Sequence, residues 1–218
     1  MGRTARSLSG LTRWTYGVLA AYSLLTAAAG VAAWHKYQVL HAPPLPAQPD
    51  GSEALPLLNA DMWLGNLRGW WSGATLVAVL VFSVWMSRMR DLADLSWPEG
   101  QRRSRAWLFF GWVVPVANVF VLKMFVNDLW AAARPASRRE RGHPLLTFWW
   151  LSILAAGTAG ANALSALKHA HTAGQTSQAL RQVMQSDLLY VCAATLSAAV
   201  VWQLSGMLKK TIREPLES

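Results

Sequence analysis

Three polar residues, Lys123, Asn127 and Asp128, interrupt an otherwise apolar stretch of the chain. Ionisable groups within a membrane-length apolar segment are costly and are often functional. In a helix, Lys123 and Asn127 share a face, whereas Asp128 lies about 140° round from Lys123. We therefore expect Asp128 to pair with an arginine of another segment, such as Arg88 or Arg90. The alternative is an amphipathic helix at the membrane surface, with the Lys123 ammonium reaching the headgroups.

A second feature lies a few residues upstream, where Trp112, Pro115 and Asn118 stand in an apolar run. Proline has no N–H and breaks a helix, and an asparagine side chain can hydrogen-bond the backbone groups that are freed. Non-helical backbone at membrane depth is tolerated only where it is buried in protein or lines a wet cavity. These residues are therefore candidates for the floor of a cavity, and the alternative is a structural turn held by packing.

Histidines give a third candidate site. Four of them are expected on one side of the membrane: His35, His41, His169 and His171. Imidazoles bind zinc or copper, and the carboxylates of Asp50, Glu53 or Asp61 could complete such a site. His169 and His171 are two residues apart, so their rings do not share a helix face. Histidines solvated at the membrane surface are the alternative.

Familiar catalytic motifs are missing from the sequence. It contains no H-E-x-x-H, G-x-S-x-G, phosphate-binding glycine loop or C-x-x-C. The single cysteine, Cys192, cannot form a dithiol pair or a disulfide within the chain. These absences argue against a thiol redox enzyme and a self-contained ATP-driven transporter, and the sequence indicates no cofactor.

The composition is that of a membrane protein. Hydrophobic residues make up 53% of the chain and charged residues 14%, against roughly 25% charged in soluble proteins. Disordered chains are polar and poor in aromatic residues, whereas this chain has 13 tryptophans. The net charge of +9 is dispersed along the sequence. We therefore expect a lipid bilayer around the protein, contacts with anionic headgroups, and no nucleic acid partner.

Four segments are continuously apolar over about 20 residues, the length that crosses the hydrocarbon core. They cover approximately residues 14–34, 69–87, 144–167 and 188–208. A segment at about 106–130 begins apolar and ends polar. External loops are expected at about 35–68 and 168–187, with short surface helices at 57–67 and 175–185 as an alternative to irregular structure. The sequence thus predicts one all-α integral membrane domain over residues 1–218. It has four transmembrane helices plus a re-entrant or interfacial broken helix on the cytoplasmic side.

The basic residues predict the orientation. If the segment at 106–130 turns back, 15 lysines and arginines lie on the cytoplasmic side and 4 lie outside; if it crosses fully, the numbers are 10 and 9. Positive charge favours cytoplasmic loops. We therefore expect a multi-pass protein of the plasma membrane with both termini in the cytoplasm. The first span also resembles a signal peptide, although its apolar run is longer than in such peptides.

Small residues recur at helical spacing in the third span. Ser152, Ala156 and Gly160 form one stripe, and Gly157 and Ala161 lie beside it. Such stripes let membrane helices approach closely. The pattern predicts tight packing against the fourth span, with a functional groove as the alternative.

The middle of the chain resembles a known family. The resemblance rests on three motifs. The first is a W-x-x-R-x-R-x-x-A pattern formed by Trp85, Arg88, Arg90 and Ala93. The others are the G-W-x-x-P-x-x-N spacing over residues 111–118 and the sequence N-D-L-W-A-A from Asn127. Together they resemble the domain-of-unknown-function 4328 family, which consists of small multi-pass membrane proteins found mainly in actinobacteria. The resemblance covers about residues 82–163.

The chain departs from that family at two positions. Leu122 stands where the family usually has a proline, and Asp128 stands where it usually has a glutamate. The missing proline favours continuous helix after Asn118. The resemblance implies membrane residence and this layout, and it implies no activity.

Two functions remain open at the level of sequence. The first is a non-catalytic membrane module that binds a lipid, a protein partner or a second copy of itself. The second is a membrane-embedded enzyme acting on a lipid-soluble substrate of the isoprenoid or quinone type. Lys123, Asp128 and Asn118 motivate the enzyme, because they lie near one membrane depth beside aromatic residues.

Overall fold

The structure is a computed structural model that describes the backbone of residues 2–43, 54–100, 106, 115–135, 137, 139 and 142–213. Over these residues every regular element is helical. The helices are α1 (Gly2–His41), α2 (Leu55–Ser96), α3 (Pro115–Ala132), α4 (Pro144–Lys168) and α5 (Ala173–Arg213), with a 3-10 turn at Pro98–Gly100. The predicted all-α class is confirmed.

Four of these helices are long and apolar enough to cross a membrane. The qualifying stretches are Ser9–His41, Leu55–Ser96, Pro144–Lys168 and Ala173–Leu208, in α1, α2, α4 and α5. Each contains one of the four predicted spans. Helix is the expected form, because a single segment in lipid must satisfy all its backbone hydrogen bonds internally.

The helices extend well beyond the predicted spans. Residues 35–41 and 55–68, expected in an external loop, belong to α1 and α2, and residues 173–187 belong to α5. A capping box begins α5: the Gln175 N–H donates to Thr172 Oγ1 at 3.2 Å, and the Gln175 side-chain oxygen accepts from the N–H groups of His171 and Thr172. The helix therefore begins far ahead of the apolar residues.

Helix α3 begins at Pro115 and continues without a break through Asn118 to Ala132. Proline is favoured in the first turn of a helix, where its missing N–H would have no partner in any case. Pro115, the first described residue of α3, fits that position. Residues 107–114, which would precede it in a re-entrant segment, lie outside the described residues.

By internal contacts the chain divides into two compact units. The first comprises Met1–Ala20, Leu76–Leu151 and Thr195–Ser218, and the second comprises Ala21–Thr75 and Ser152–Ala194. α1, α2, α4 and α5 each contribute residues to both units.

Large side chains fill the first unit around α3. Its fully buried residues include Trp85, Met86, Met89, Leu122, Phe125, Leu129, Trp130, Leu146, Trp149 and Leu204. The Trp149 ring packs against Phe82 at 6.0 Å between centroids, and the Trp149 Nε1–H donates to Ser197 Oγ at 2.9 Å. α3 is buried over most of residues 121–133.

Smaller residues form the core of the second unit. One buried cluster consists of Ala32, Ala33, Leu64, Ala163, Leu180 and Val183. Four of these six carry alanine or valine side chains, so α1, α4 and α5 can approach closely there. This packing brings the polar residues of α1, α2 and α5 close to one another.

Candidate functional site

A buried ion pair lies in the second unit. The Arg68 guanidinium on α2 donates from Nη2 to Asp187 Oδ2 on α5 at 2.6 Å. The Asp187 side chain is only 4% exposed and that of Arg68 is 26% exposed. A charge withdrawn from water is costly without a partner, so each of these residues needs the other.

Two further atoms of this pair are buried without a partner among the described residues: Arg68 Nε and Asp187 Oδ1. The first is a donor and the second an acceptor, and both belong to one guanidinium–carboxylate pair. Arginine and carboxylate often pair through two parallel hydrogen bonds. The pair therefore has one hydrogen bond in the structure, and Arg68 Nε and Asp187 Oδ1 are the two atoms that a second, parallel bond would join.

Trp71 holds the Arg68 side chain in place. The guanidinium lies 5.5 Å from the centre of the Trp71 ring, and the Trp71 Nε1–H donates to Thr26 Oγ1 at 3.1 Å. The edge-on contact between Trp71 and Tyr190 measures 5.1 Å between centroids. Arg68 is thus fixed by α1 through Thr26 and by α5 through Tyr190.

Gly160 on α4 makes room for Tyr190. A Cβ at Gly160 would lie 2.5 Å from the Tyr190 hydroxyl oxygen, closer than real Cβ contacts. Gly157, one turn earlier, has no such neighbour within 4 Å, and it is exposed. The predicted small-residue stripe therefore accommodates one aromatic side chain at Gly160 and leaves open space at Gly157.

These residues surround a cavity of about 390 Å³, called here the Arg68 cavity. Its lining comprises Arg68, Trp71, Ser72, Gly157, Gly160, Ala161, Ala163, Leu164, Leu167, Val183, Ser186 and Tyr190. The wall is mainly apolar, and Arg68 is its charged member. A cavity of this kind can hold an apolar chain together with an oxygen acceptor beside the guanidinium.

A larger groove of about 630 Å³ runs between α1 and α2 in the same unit, and we call it the α1–α2 groove. It is lined by Ala28, Val31, Ala32, Trp34, His35, Gln38, Asn59, Trp63 and Leu67. An ion pair between Lys36 and Asp61 also joins these two helices.

A polar cluster joins the end of α1 to the start of α5. Ser177 Oγ lies 3.3 Å from His41 Nε2, and His41 Nδ1 lies 2.8 Å from the Tyr37 carbonyl oxygen. Arg181 donates from Nη2 to the Tyr37 hydroxyl at 2.6 Å. Sequence reasoning singled out His41 only as a metal ligand.

The arginines of the predicted site lie in the first unit. Arg88 is exposed and faces Asp91 at 3.6 Å, whereas the buried Arg90 donates from Nε to Asp94 at 2.8 Å. The Arg90 guanidinium also lies 5.4 Å from the ring centre of Phe125 on α3. Both arginines thus have carboxylate partners within α2, and Arg90 in addition packs on α3.

The α3 residues of the predicted site have different environments. Asp128 is buried at 1% exposure, and Lys123 and Asn127 are half-buried. The pairing of Asp128 with Arg88 or Arg90 stays a prediction. Trp112 lies outside the described residues, as do the side chains of Pro115 and Asn118. The predicted cavity floor is therefore untested.

The four histidines have separate surroundings. His35 lines the α1–α2 groove, and the His169 ring bonds the Ser165 carbonyl at 2.8 Å. The His171 N–H bonds the Gln175 side chain, as described above. In the part of the chain that the structure describes, no three His, Cys, Asp or Glu residues gather as a metal site. The metal site stays a prediction, because two of its carboxylates, at positions 50 and 53, lie outside that part.

The ion pair predicts a strong asymmetry between single and double substitutions. Removing one partner from a buried pair costs roughly 3–5 kcal/mol, whereas replacing both by apolar residues is often neutral. We expect Arg68→Ala and Asp187→Ala each to lose about that much unfolding free energy, and Arg68→Met/Asp187→Leu to lose far less. Reversible unfolding in mixed detergent micelles, followed by circular dichroism, measures these losses.

Arg88→Ala is the matched control, because the Arg88–Asp91 pair is exposed and such pairs contribute about 0–1 kcal/mol. An equal loss in Arg68→Ala and Arg88→Ala would contradict the structural role of the buried pair.

The contact at Gly160 predicts that one added methyl group is harmful there. Gly160→Ala must displace Tyr190, and overpacking costs about 1–3 kcal/mol. Gly157→Ala, with open space, should instead be neutral or slightly stabilising. The same unfolding assay compares them. In a Tyr190→Leu background the cost of Gly160→Ala should disappear, and a cost that persists there would show that Tyr190 is not its cause.

The chain matches a family model. No curated protein and no solved structure matches the chain. A family model described as a domain of unknown function (DUF4328) matches residues 57–206. This confirms the resemblance seen over residues 82–163 and extends it on both sides, so that it includes Arg68, Gly160, Asp187 and Tyr190. The chain therefore belongs to the domain-of-unknown-function 4328 family, DUF4328.

Proposed function

We propose that this protein is a membrane module that binds one lipid molecule in the Arg68 cavity. Its four long apolar helices and its family fit a membrane protein of unestablished activity. The observation that carries the proposal is the cavity itself, with a mainly apolar wall and a single guanidinium held in place by Asp187 and Trp71.

The wall suits a hydrocarbon chain. Gly157, Gly160 and Ala161 have little or no side chain, so the surface of α4 is recessed there. Gly157, Ala161 and Leu164 are also exposed, so this side of the cavity is open to the surroundings of the second unit. In a bilayer those surroundings supply lipid chains, and an open recess of this size would be filled by one of them.

The polar groups suit an oxygen-rich headgroup. Arginine has five N–H donors, and Nη2 of Arg68 is engaged with Asp187. Another N–H can donate to a phosphate or ester oxygen, and Tyr190 also lines the cavity. The hydroxyls of Ser72 and Ser186 already donate to the carbonyl oxygens of Arg68 and Val183. Because Asp187 already balances the charge of Arg68, the headgroup need not carry a net negative charge.

The test is lipid retention in native mass spectrometry. The purified protein is incubated with vesicles of phosphatidylethanolamine and phosphatidylglycerol and transferred to mild detergent, and the bound lipids are counted. A Cβ at Gly157 would have no neighbour within 4 Å, so the Gly157→Leu variant should fold normally. Its leucine side chain would fill the Arg68 cavity, so the variant should bind one lipid fewer. We expect its lipid-bound fraction to fall about tenfold, the equivalent of 1.4 kcal/mol.

Gly73→Leu is the matched control, because Gly73 on α2 is also exposed and free of neighbours, and it does not line the cavity. Equal lipid retention in the unmodified protein, Gly157→Leu and Gly73→Leu would overturn the proposal. So would a dimer or a co-purified protein that Gly157→Leu removes, since the cavity would then serve a protein partner or a second copy.

We also propose that the protein lies in the plasma membrane with both termini in the cytoplasm and the segment at 106–130 re-entrant. Support comes from the 15 to 4 distribution of basic residues. In a Cys192→Ser background, Ala173→Cys should react with an impermeant thiol reagent on intact cells, and Ser137→Cys only after lysis. Both positions are exposed. Reaction of Ser137→Cys on intact cells would mean that the segment crosses fully.

A further inference from the structure

A serine and a histidine form a hydrogen-bonded pair at the junction of α1 and α5. Ser177 Oγ lies 3.3 Å from His41 Nε2. His41 is exposed and Ser177 is 8% exposed, so the pair is reachable from its histidine side. A nucleophile beside a base at this distance is the basic requirement of covalent catalysis, and the distance is often looser before substrate binds.

The hydrogen bond at the other ring nitrogen fixes the histidine tautomer. His41 Nδ1 lies 2.8 Å from the carbonyl oxygen of Tyr37, which can only accept. Nδ1 therefore carries the hydrogen, and in the neutral ring Nε2 accepts from the Ser177 hydroxyl. The Tyr37 carbonyl lies four residues before His41 in α1, and a carbonyl oxygen has two lone pairs, so it can accept from the ring as well as from the backbone. This hydrogen bond orients the base toward the serine.

Aromatic packing limits the movement of the ring. The ring centroids of Tyr37 and His41 are 4.2 Å apart. Trp34 stacks on Tyr37, with 5.6 Å between their ring centroids. Trp34, Tyr37 and His41 follow one another along α1 at spacings of three and four residues, so they share one side of the helix. The base is therefore held by one hydrogen bond and one ring contact.

The guanidinium of Arg181 belongs to the helical turn after Ser177. Arg181 is four residues from Ser177 on α5, so the two share a helix face. Its Nη2 donates to the Tyr37 hydroxyl, and its guanidinium lies 5.3 Å from the Tyr37 ring centre. Since arginine has five N–H donors, others can stabilise negative charge that develops beside Ser177.

From this arrangement we infer that Ser177 and His41 are a nucleophile–base pair that cleaves esters with an apolar acyl chain. Ser177 Oγ bonds to the ester carbonyl carbon while its proton passes to His41 Nε2. The ester C–O bond breaks, and the imidazolium gives its proton to the departing alkoxide. Water, deprotonated by His41, then attacks the carbonyl carbon of the acyl-serine. The bond from that carbon to Oγ breaks, His41 returns the proton to Ser177 Oγ, and the carboxylic acid leaves.

The α1–α2 groove is the surface on which the apolar acyl chain of such an ester would lie. Trp34 lines this groove and also stacks on Tyr37, which contacts His41. From Trp34 to His41 is seven residues, or about 10 Å along the helix. An acyl chain that lies in the groove would have to extend past Trp34 over that distance to place its carbonyl carbon at the pair.

The site uses none of the residues that line the Arg68 cavity. Loss of ester cleavage would leave the proposed lipid binding untouched, and the converse also holds. The two proposals can fail separately.

A fluorophosphonate probe tests the inference on the purified full-length protein in detergent. Ser177 Oγ should displace fluoride from phosphorus, with its proton passing to His41, and mass spectrometry of peptides should place the label on Ser177. Ser177→Ala should abolish the labelling. His41→Gln should slow it at least about 100-fold, the lower end of what a general base contributes. Hydrolysis of p-nitrophenyl octanoate should fall in parallel.

His41→Gln separates catalysis from a merely structural contact. The glutamine amide can still accept a hydrogen bond from Ser177 but cannot take its proton, so the unfolding temperature should stay close to that of the unmodified protein. Ser165→Ala, at an exposed serine of α4, should label and hydrolyse normally. Absence of label on Ser177 in the unmodified protein, or equal labelling rates in His41→Gln, would overturn the inference.

Discussion

The ion pair between Arg68 and Asp187 is the contact on which the second unit depends. It joins α2 to α5 at a point where both charges are largely withdrawn from water. An unpaired charge there would cost several kcal/mol, so the register of these two helices is fixed by the need to bring the groups together. Trp71 packs on the paired guanidinium and Tyr190 packs on Trp71, which requires a glycine at position 160 of α4.

Much of the fold follows from the sequence, because the bilayer admits few solutions. A segment of about 20 apolar residues must satisfy its own backbone hydrogen bonds, and the helix does so. Hydropathy does not show where a helix ends once its side chains become polar. The sequence places residues 173–187 in an external loop, with a short surface helix at 175–185 as the alternative, whereas the capping box of Thr172 and Gln175 begins the long helix α5 there. That signal was present in the sequence as T-x-x-Q.

The candidate sites were harder to predict, because they consist of contacts between distant residues. The partners in the ion pair are 119 residues apart, and Ser177 and His41 are 136 apart. A single sequence marks each residue as polar beside an apolar span but does not pair them. Lys123 and Asp128 stand out in a single sequence because they interrupt an apolar run locally.

The two units differ in the side chains that fill their described cores. Trp85, Trp130 and Trp149 are fully buried in the first unit, among other bulky side chains around α3. The second unit is built on alanines and glycines, and both the Arg68 cavity and the α1–α2 groove belong to it. Small residues bring helix backbones together at some positions and leave recesses at others. Polar groups anchored beside such recesses can recognise a ligand, so binding and chemistry are expected where the packing is least bulky.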